Sequence, residues 1–189
     1  KGGKNDIINF MIFWQKLEQF LFCLLLFSIP FQTRKLLWQQ NWYFNEWQSI
    51  SVYATDVLLA ILFLFWIFKG VKIKAARYDY FLFIFLAVSA ISVFNSSNHA
   101  LSAYNLIKLA EFIAFYFYIK SYAIGRFGFT NSLLAIIVGG LFQAVIAIIQ
   151  FLKQSDAGLW LLGESVITRD MTGIASFFNM AGEKVIRAY

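Results

Sequence analysis

The sequence predicts an all-α polytopic membrane protein: five transmembrane helices, the N-terminus inside, and a small C-terminal segment outside with a possible β-hairpin. Three observations predict it. Apolar stretches run over residues 17–31, 50–68, 78–94, 101–119 and 133–152, each near the ~20 residues that cross a hydrocarbon core as a helix; the first is the shortest. The composition of the 189 residues is 60% hydrophobic, 20% aromatic and 14% charged, leaving too few polar side chains to coat a water-soluble globule of this size. Finally, basic residues concentrate on alternate loops, as orientation in a bilayer requires.

Lys69, Lys72, Lys74 and Arg77 crowd the second loop, and Lys120 and Arg126 lie on the fourth, whereas residues 95–100 carry no Lys or Arg. Loops two and four are therefore expected inside, with Lys1, Lys4 and Lys16, and the first loop, the third loop and the 153–189 tail outside. Arg34 and Lys35 dissent, being basic residues on an expected outer loop. The net charge of +6 is explained by topology and by anionic head groups rather than by nucleic acid.

Residues 1–16 carry Ile7, Ile8, Phe10, Met11 and Trp14 beside Lys4, Asp6 and Lys16, a mixture suited to a helix lying in the inner interface. Lys16 and Glu18 interrupt the apolar run and no small-x-small site follows Phe31, so this is not a secretory signal. Pro30 is expected to end or kink the first helix. Trp38, Trp42, Tyr43 and Trp47 suit an outer interfacial belt, and Trp14, Trp66, Tyr78, Tyr80 and Tyr122 an inner one. Gly139 and Gly140 allow close helix approach. The bundle thus occupies 17–152. Residues 153–189 start an outer segment, with an interfacial turn at 158–163 and two strands flanking a turn at 179–183. With Lys at position 1 and a pattern that stops at Tyr189, the chain reads as the N-terminal part of a longer protein.

Cys23 is alone in the first span, with neither a disulfide partner nor a metal partner at ligand spacing, and reads as packing. His99 reads as a solvated loop residue. No phosphate loop, zinc motif or nucleophile elbow is present. No metal or cofactor is expected.

The ionisable residues inside the spans carry more information, because a charge near the bilayer centre costs about 2.5–3.5 kcal/mol on insertion scales. Lys108 and Glu111 are three apart on one helical face and can pair. Asp56 lies at similar depth, roughly 10 Å below the outer end of its span at ~1.5 Å per residue. Gln143, with Gln150 seven residues on, could extend this polar cluster along one stripe. The cluster is either a clamp that holds helices in register or the wall of a site.

Three stretches resemble a known family: Ile29-Pro30-Phe31-Gln32-Thr33-Arg34-Lys35, Asp56-Val57-Leu58-Leu59, and Leu162-Gly163-Glu164 with Glu183-Lys184-Val185-Ile186-Arg187-Ala188-Tyr189. Together they are similar to the O-antigen ligases and related polysaccharide polymerases of bacterial envelopes, in which the last run leads into Gly-Thr-Phe-x-His-Pro-Asn. The resemblance implies a multi-pass, metal-independent glycosyltransferase of the bacterial plasma membrane. Such an enzyme takes a glycan from an undecaprenyl diphosphate carrier and joins it to a glycan, lipid or protein acceptor on the extracytoplasmic face.

The diphosphate leaving group gathers negative charge as the glycosidic bond breaks, and arginine meets phosphate oxygens with planar bidentate contacts. The resemblance makes Arg187 the diphosphate-binding cation, with Arg34 a second. Read without it, Arg187 is a solvent-facing strand residue and Arg34 snorkels to head groups. The family's later outer loop, with its histidine and a further arginine, is not in this sequence, so the catalytic residues are not assigned and this part alone is expected to be inactive. A transporter or lipid-linked glycan flippase would also carry intramembrane charges, though such proteins tend to show internal repeats that this sequence lacks.

Overall fold

The structure, a computed structural model, describes residues 2–31, 33–39, 48–155, 158–159, 176–178 and 184–186. Helix α1 spans Gly2–Ser28. It runs through residue 16 without a break, so the expected interfacial segment and first span are one helix; no Gly or Pro lies between Gly3 and Pro30 to interrupt it. At its end the Ser28 hydroxyl donates to the Leu25 carbonyl at 2.9 Å, and the Phe31 amide donates to the Ser28 carbonyl at 2.9 Å. Pro30, which lacks an amide hydrogen, prevents the ladder from continuing.

The expected first loop instead holds an antiparallel pair, β1 Arg34–Gln39 and β2 Ser49–Tyr53. Arg34 pairs with Tyr53 and Leu36 with Ser51, and the register then shifts so that Trp38 pairs with Ile50. The start of the second apolar stretch is therefore strand rather than helix. Its sequence Ser-Ile-Ser-Val-Tyr alternates, Ser49 and Ser51 are buried, and branched Ile50 and Val52 suit a pleated backbone.

Helix α2 follows at Ala54–Phe68. Its first turn is fixed by Asp56, whose carboxylate accepts the Tyr53 backbone N–H at 2.9 Å, and by the Ala54 amide, which donates to the Thr33 carbonyl at 2.9 Å. At 15 residues it is about 22 Å long, shorter than a ~30 Å hydrocarbon core. Gly70 closes it at φ +59, where a side chain would be strained.

A 3₁₀ turn at Arg77–Asp79 leads into α3, Tyr80–Phe94. Helix α4, His99–Tyr118, is capped by Asn98, whose side-chain oxygen accepts the Leu101 amide at 3.1 Å. His99 is exposed, with Nδ1 3.0 Å from the Val93 carbonyl oxygen. The expected fourth loop is helical instead: a π-helical turn at Ile119–Ala123 joins α4 to α5, Ile124–Phe127, and the chain turns only at Gly128, φ +83. Helix α6 is Phe129–Lys153.

Among the described residues, four helical stretches are long and apolar enough to cross a membrane, Asn9–Ser28, Arg77–Phe94, His99–Phe127 and Phe129–Lys153; α2 is apolar but shorter. Large apolar side chains cover the outside, and no residue of α3 is buried. Such a surface is at home among acyl chains and aggregates in water.

The core gathers Phe22 and Leu25 from α1, Leu62 and Trp66 from α2, and Phe117, Tyr118 and Tyr122 from α4 and the π turn. The Trp66 ring meets Tyr118 edge-on at 5.8 Å. Trp66 and Tyr122 are thus core residues rather than interfacial anchors. Helix α6 packs on α1, where a Cβ added at Gly139 would lie 2.4 Å from the Phe27 carbonyl oxygen, while Gly140 faces open space.

Beyond α6, β3 Ser176–Phe178 and β4 Lys184–Ile186 pair antiparallel, Phe177 opposite Val185. The turn at 179–183, most of the 158–163 segment, and Trp42, Tyr43 and Trp47 lie outside the described residues.

Candidate functional site: an ion group at the β2–α2 junction

Sequence depth alone placed Asp56 beside Lys108 and Glu111, and the three do meet. The Lys108 ammonium pairs with the Asp56 carboxylate, and with Glu111 Oε2 at 3.3 Å. It also lies 5.2 Å from the Tyr53 ring centre and 5.8 Å from that of Tyr104, so two aromatic faces complete its shell. The three charged side chains retain 19–22% exposure. This is a half-open group, neither sealed in the core nor out in solvent.

Local structure explains the convergence. Asp56 is the third residue of α2, where its carboxylate caps the helix start and aligns with the partial positive charge of the amides there. Lys108 stands one turn beyond Tyr104, whose hydroxyl donates to the Ser51 carbonyl at 2.7 Å. That bond locks α4 against β2, and with β2 running directly into α2, Lys108 is held opposite Asp56.

Arg34 joins the group from β1, its Nη1 donating to the Tyr53 hydroxyl at 3.5 Å. It sits on a paired strand rather than at a free helix flank, and a chain of contacts runs Arg34, Tyr53, Asp56, Lys108, Glu111. Gln143 is not brought in: it is half-buried on α6, and no hydrogen bond ties it to these residues among those described. Arg187 lies outside the described residues, one position past β4.

A second polar group escaped the sequence reading. Glu18, fully buried on α1, pairs with Lys69 at the end of α2, accepts the Tyr122 hydroxyl at 2.9 Å and lies 3.7 Å from Arg126 Nε. Lys69 also donates to Tyr122 at 2.7 Å. Nearby, Asp79 accepts Lys120 at 2.5 Å, the Tyr116 hydroxyl at 2.8 Å and the Ala76 amide. The available signal was Glu18 itself, a lone carboxylate inside an apolar run; its partners lie 51 and 104 residues away along the chain.

Asp56 and Glu111 are two carboxylates, and among the described residues no group of three His, Cys, Asp or Glu side chains comes together to hold a metal. What the junction offers is two cations, Arg34 and Lys108, with tyrosine hydroxyls and two carboxylates between them. The set is formally neutral, with Lys108 paired to both carboxylates, and offers polar groups that can hydrogen-bond a hydroxyl or pass a proton. No family model matches the chain, and neither the curated proteins nor the solved structures gave a match.

Proposed function

We propose that this chain is the N-terminal part of a multi-pass glycosyltransferase of a bacterial plasma membrane, similar to O-antigen ligases and polymerases. In this reading it acts outside the membrane on a glycan carried by undecaprenyl diphosphate. The observation that carries it is the position of Arg34: β1–β2 pairing holds this cation against Tyr53, one contact from a half-open ion group at the head of α2. A departing diphosphate needs fixed cations, and an arginine held on a strand is pre-organised for that charge at little further entropic cost. Arg187 supplies the second cation, on the resemblance of the run 183–189.

The topology that goes with this reading has five crossings and the N-terminus inside. The short α2 makes its crossing with β2 continuing the line toward the surface. Lys108, neutralised by Asp56 and Glu111, orients the junction, while the arginines take the phosphate oxygens. The acceptor is a glycan, lipid or protein.

The test is transfer from undecaprenyl-diphosphate-linked glycan by the full-length protein that this reading calls for, reconstituted in liposomes, comparing wild type with Arg34→Ala, Arg34→Lys and Arg187→Ala. The expected result is a fall of about 10²–10³-fold for each alanine variant, with Arg34→Lys intermediate because it keeps the charge and loses the bidentate geometry. Undiminished transfer in both alanine variants overturns the assignment. Movement of the carrier across the bilayer without any glycosidic bond changing hands would establish the flippase instead.

A further inference from the structure

Cations of two kinds stand on the loop between α2 and α3 and on the π turn and α5 beside it. Lys69, Lys120 and Arg126 are engaged, the first and last with Glu18 and Lys120 with Asp79. Lys72, Lys74 and Arg77 are exposed, and among the described residues no ion pair engages their side chains.

The backbone bearing these three is nevertheless held in place. The Lys74 amide donates to the Ser121 hydroxyl at 2.9 Å, and the Ala76 amide to Asp79 at 2.5 Å. Between and beside the cations stand Ile73, 57% exposed, and Tyr78, 79% exposed. A fixed loop that alternates unengaged cations with exposed apolar side chains, at the mouth of two apolar helices, matches the boundary between phosphate groups and acyl chains.

We propose that the 70–78 segment is a docking surface for anionic phospholipid head groups, with Lys72, Lys74 and Arg77 meeting lipid phosphates and Ile73 and Tyr78 entering the acyl boundary. The claim rests on α2 and α3 lying in a bilayer and is independent of any catalytic role. Each cation near an anionic surface favours it roughly fivefold, so three together set a preference on the order of a hundredfold. The engaged cations add less, because Glu18 and Asp79 offset two of their three charges.

The experiment titrates the detergent-purified protein with dioleoyl phosphatidylglycerol or dioleoyl phosphatidylcholine and counts bound lipids by native mass spectrometry, with glycerol phosphate as a soluble control. Wild type is expected to prefer phosphatidylglycerol at least tenfold, K72Q/K74Q/R77Q to lose that preference with its melting temperature in phosphatidylcholine unchanged, and Lys69→Gln to melt lower while keeping it. Retained preference in the triple variant overturns the proposal. So does a triple variant that melts lower in phosphatidylcholine, which would make these side chains structural, and so does equal protection of wild type by glycerol phosphate, which would make the surface a site for soluble phosphate.

Discussion

The two ends of α2 hold two ion groups built on opposite terms. At its start Asp56, Lys108 and Glu111 stay about one-fifth exposed; at its end Lys69 meets a Glu18 that has no exposure at all and is shared by Tyr122 and Arg126. The sealed carboxylate gathers its partners on Oε2 while Oε1 is buried without one, so it depends on those contacts, whereas a half-open group tolerates change and remains open to solvent. The first arrangement suits holding α1, α2 and α5 together, the second suits a site.

The largest test of this contrast is Glu18→Ala. Lys69 and Arg126 lose their carboxylate but keep 32% and 34% side-chain exposure, while the buried Tyr122 hydroxyl is left with Lys69 alone, so the loss is up to about 3 kcal/mol and melting in detergent should drop. A stability close to wild type would erase the distinction. Next comes Gly139→Ala, which belongs to neither group: its methyl meets the Phe27 backbone carbonyl, a rigid neighbour, and should cost about 1–3 kcal/mol. Gly140→Ala, facing open space, is expected to change the melting temperature little, and similar losses at both positions would contradict the close approach.

Legibility followed the range of the forces involved. Helices α3 and α6 were plain from apolar length alone, and Asp56, Lys108 and Glu111 from depth, because an ion in a bilayer has few places to find a partner. The hairpin was hidden twice: Arg-Lys-Leu-Leu-Trp-Gln shows no alternation across its bulge, and Ser49–Tyr53 was absorbed into the apolar run that follows it. Helix through 120–126 was missed because polar residues there read as a loop, yet Lys120, Ser121 and Tyr122 all find partners that repay the helical backbone. Which of two adjacent glycines faces α1 depends on helix rotation, which local sequence does not encode.

Smaller effects sharpen the comparison further. Ser121→Ala removes the hydroxyl that accepts the Lys74 amide and should cost about 1 kcal/mol, read as faster hydrogen exchange at residues 72–76; unchanged exchange would mean that the staple holds nothing. Smallest in stability is Asp56→Asn. Lys108 keeps Glu111 at 3.3 Å, and membrane hydrogen bonds average about 0.6 kcal/mol, so melting should shift slightly while the transfer activity proposed above falls. If Asp56→Asn unfolds the protein as readily as Glu18→Ala, both groups are clamps and the site must be sought elsewhere.

The bulge in β1 has its own consequence. Leu37 is the surplus residue between the pairs Leu36–Ser51 and Trp38–Ile50, so the rungs on the helix side are counted from Tyr53 and not from the far tip. Insertions or deletions in the distal part of the hairpin can be absorbed there without rotating Arg34 away from its tyrosine. The cation at the root of the hairpin thereby keeps its register whatever is changed beyond the bulge.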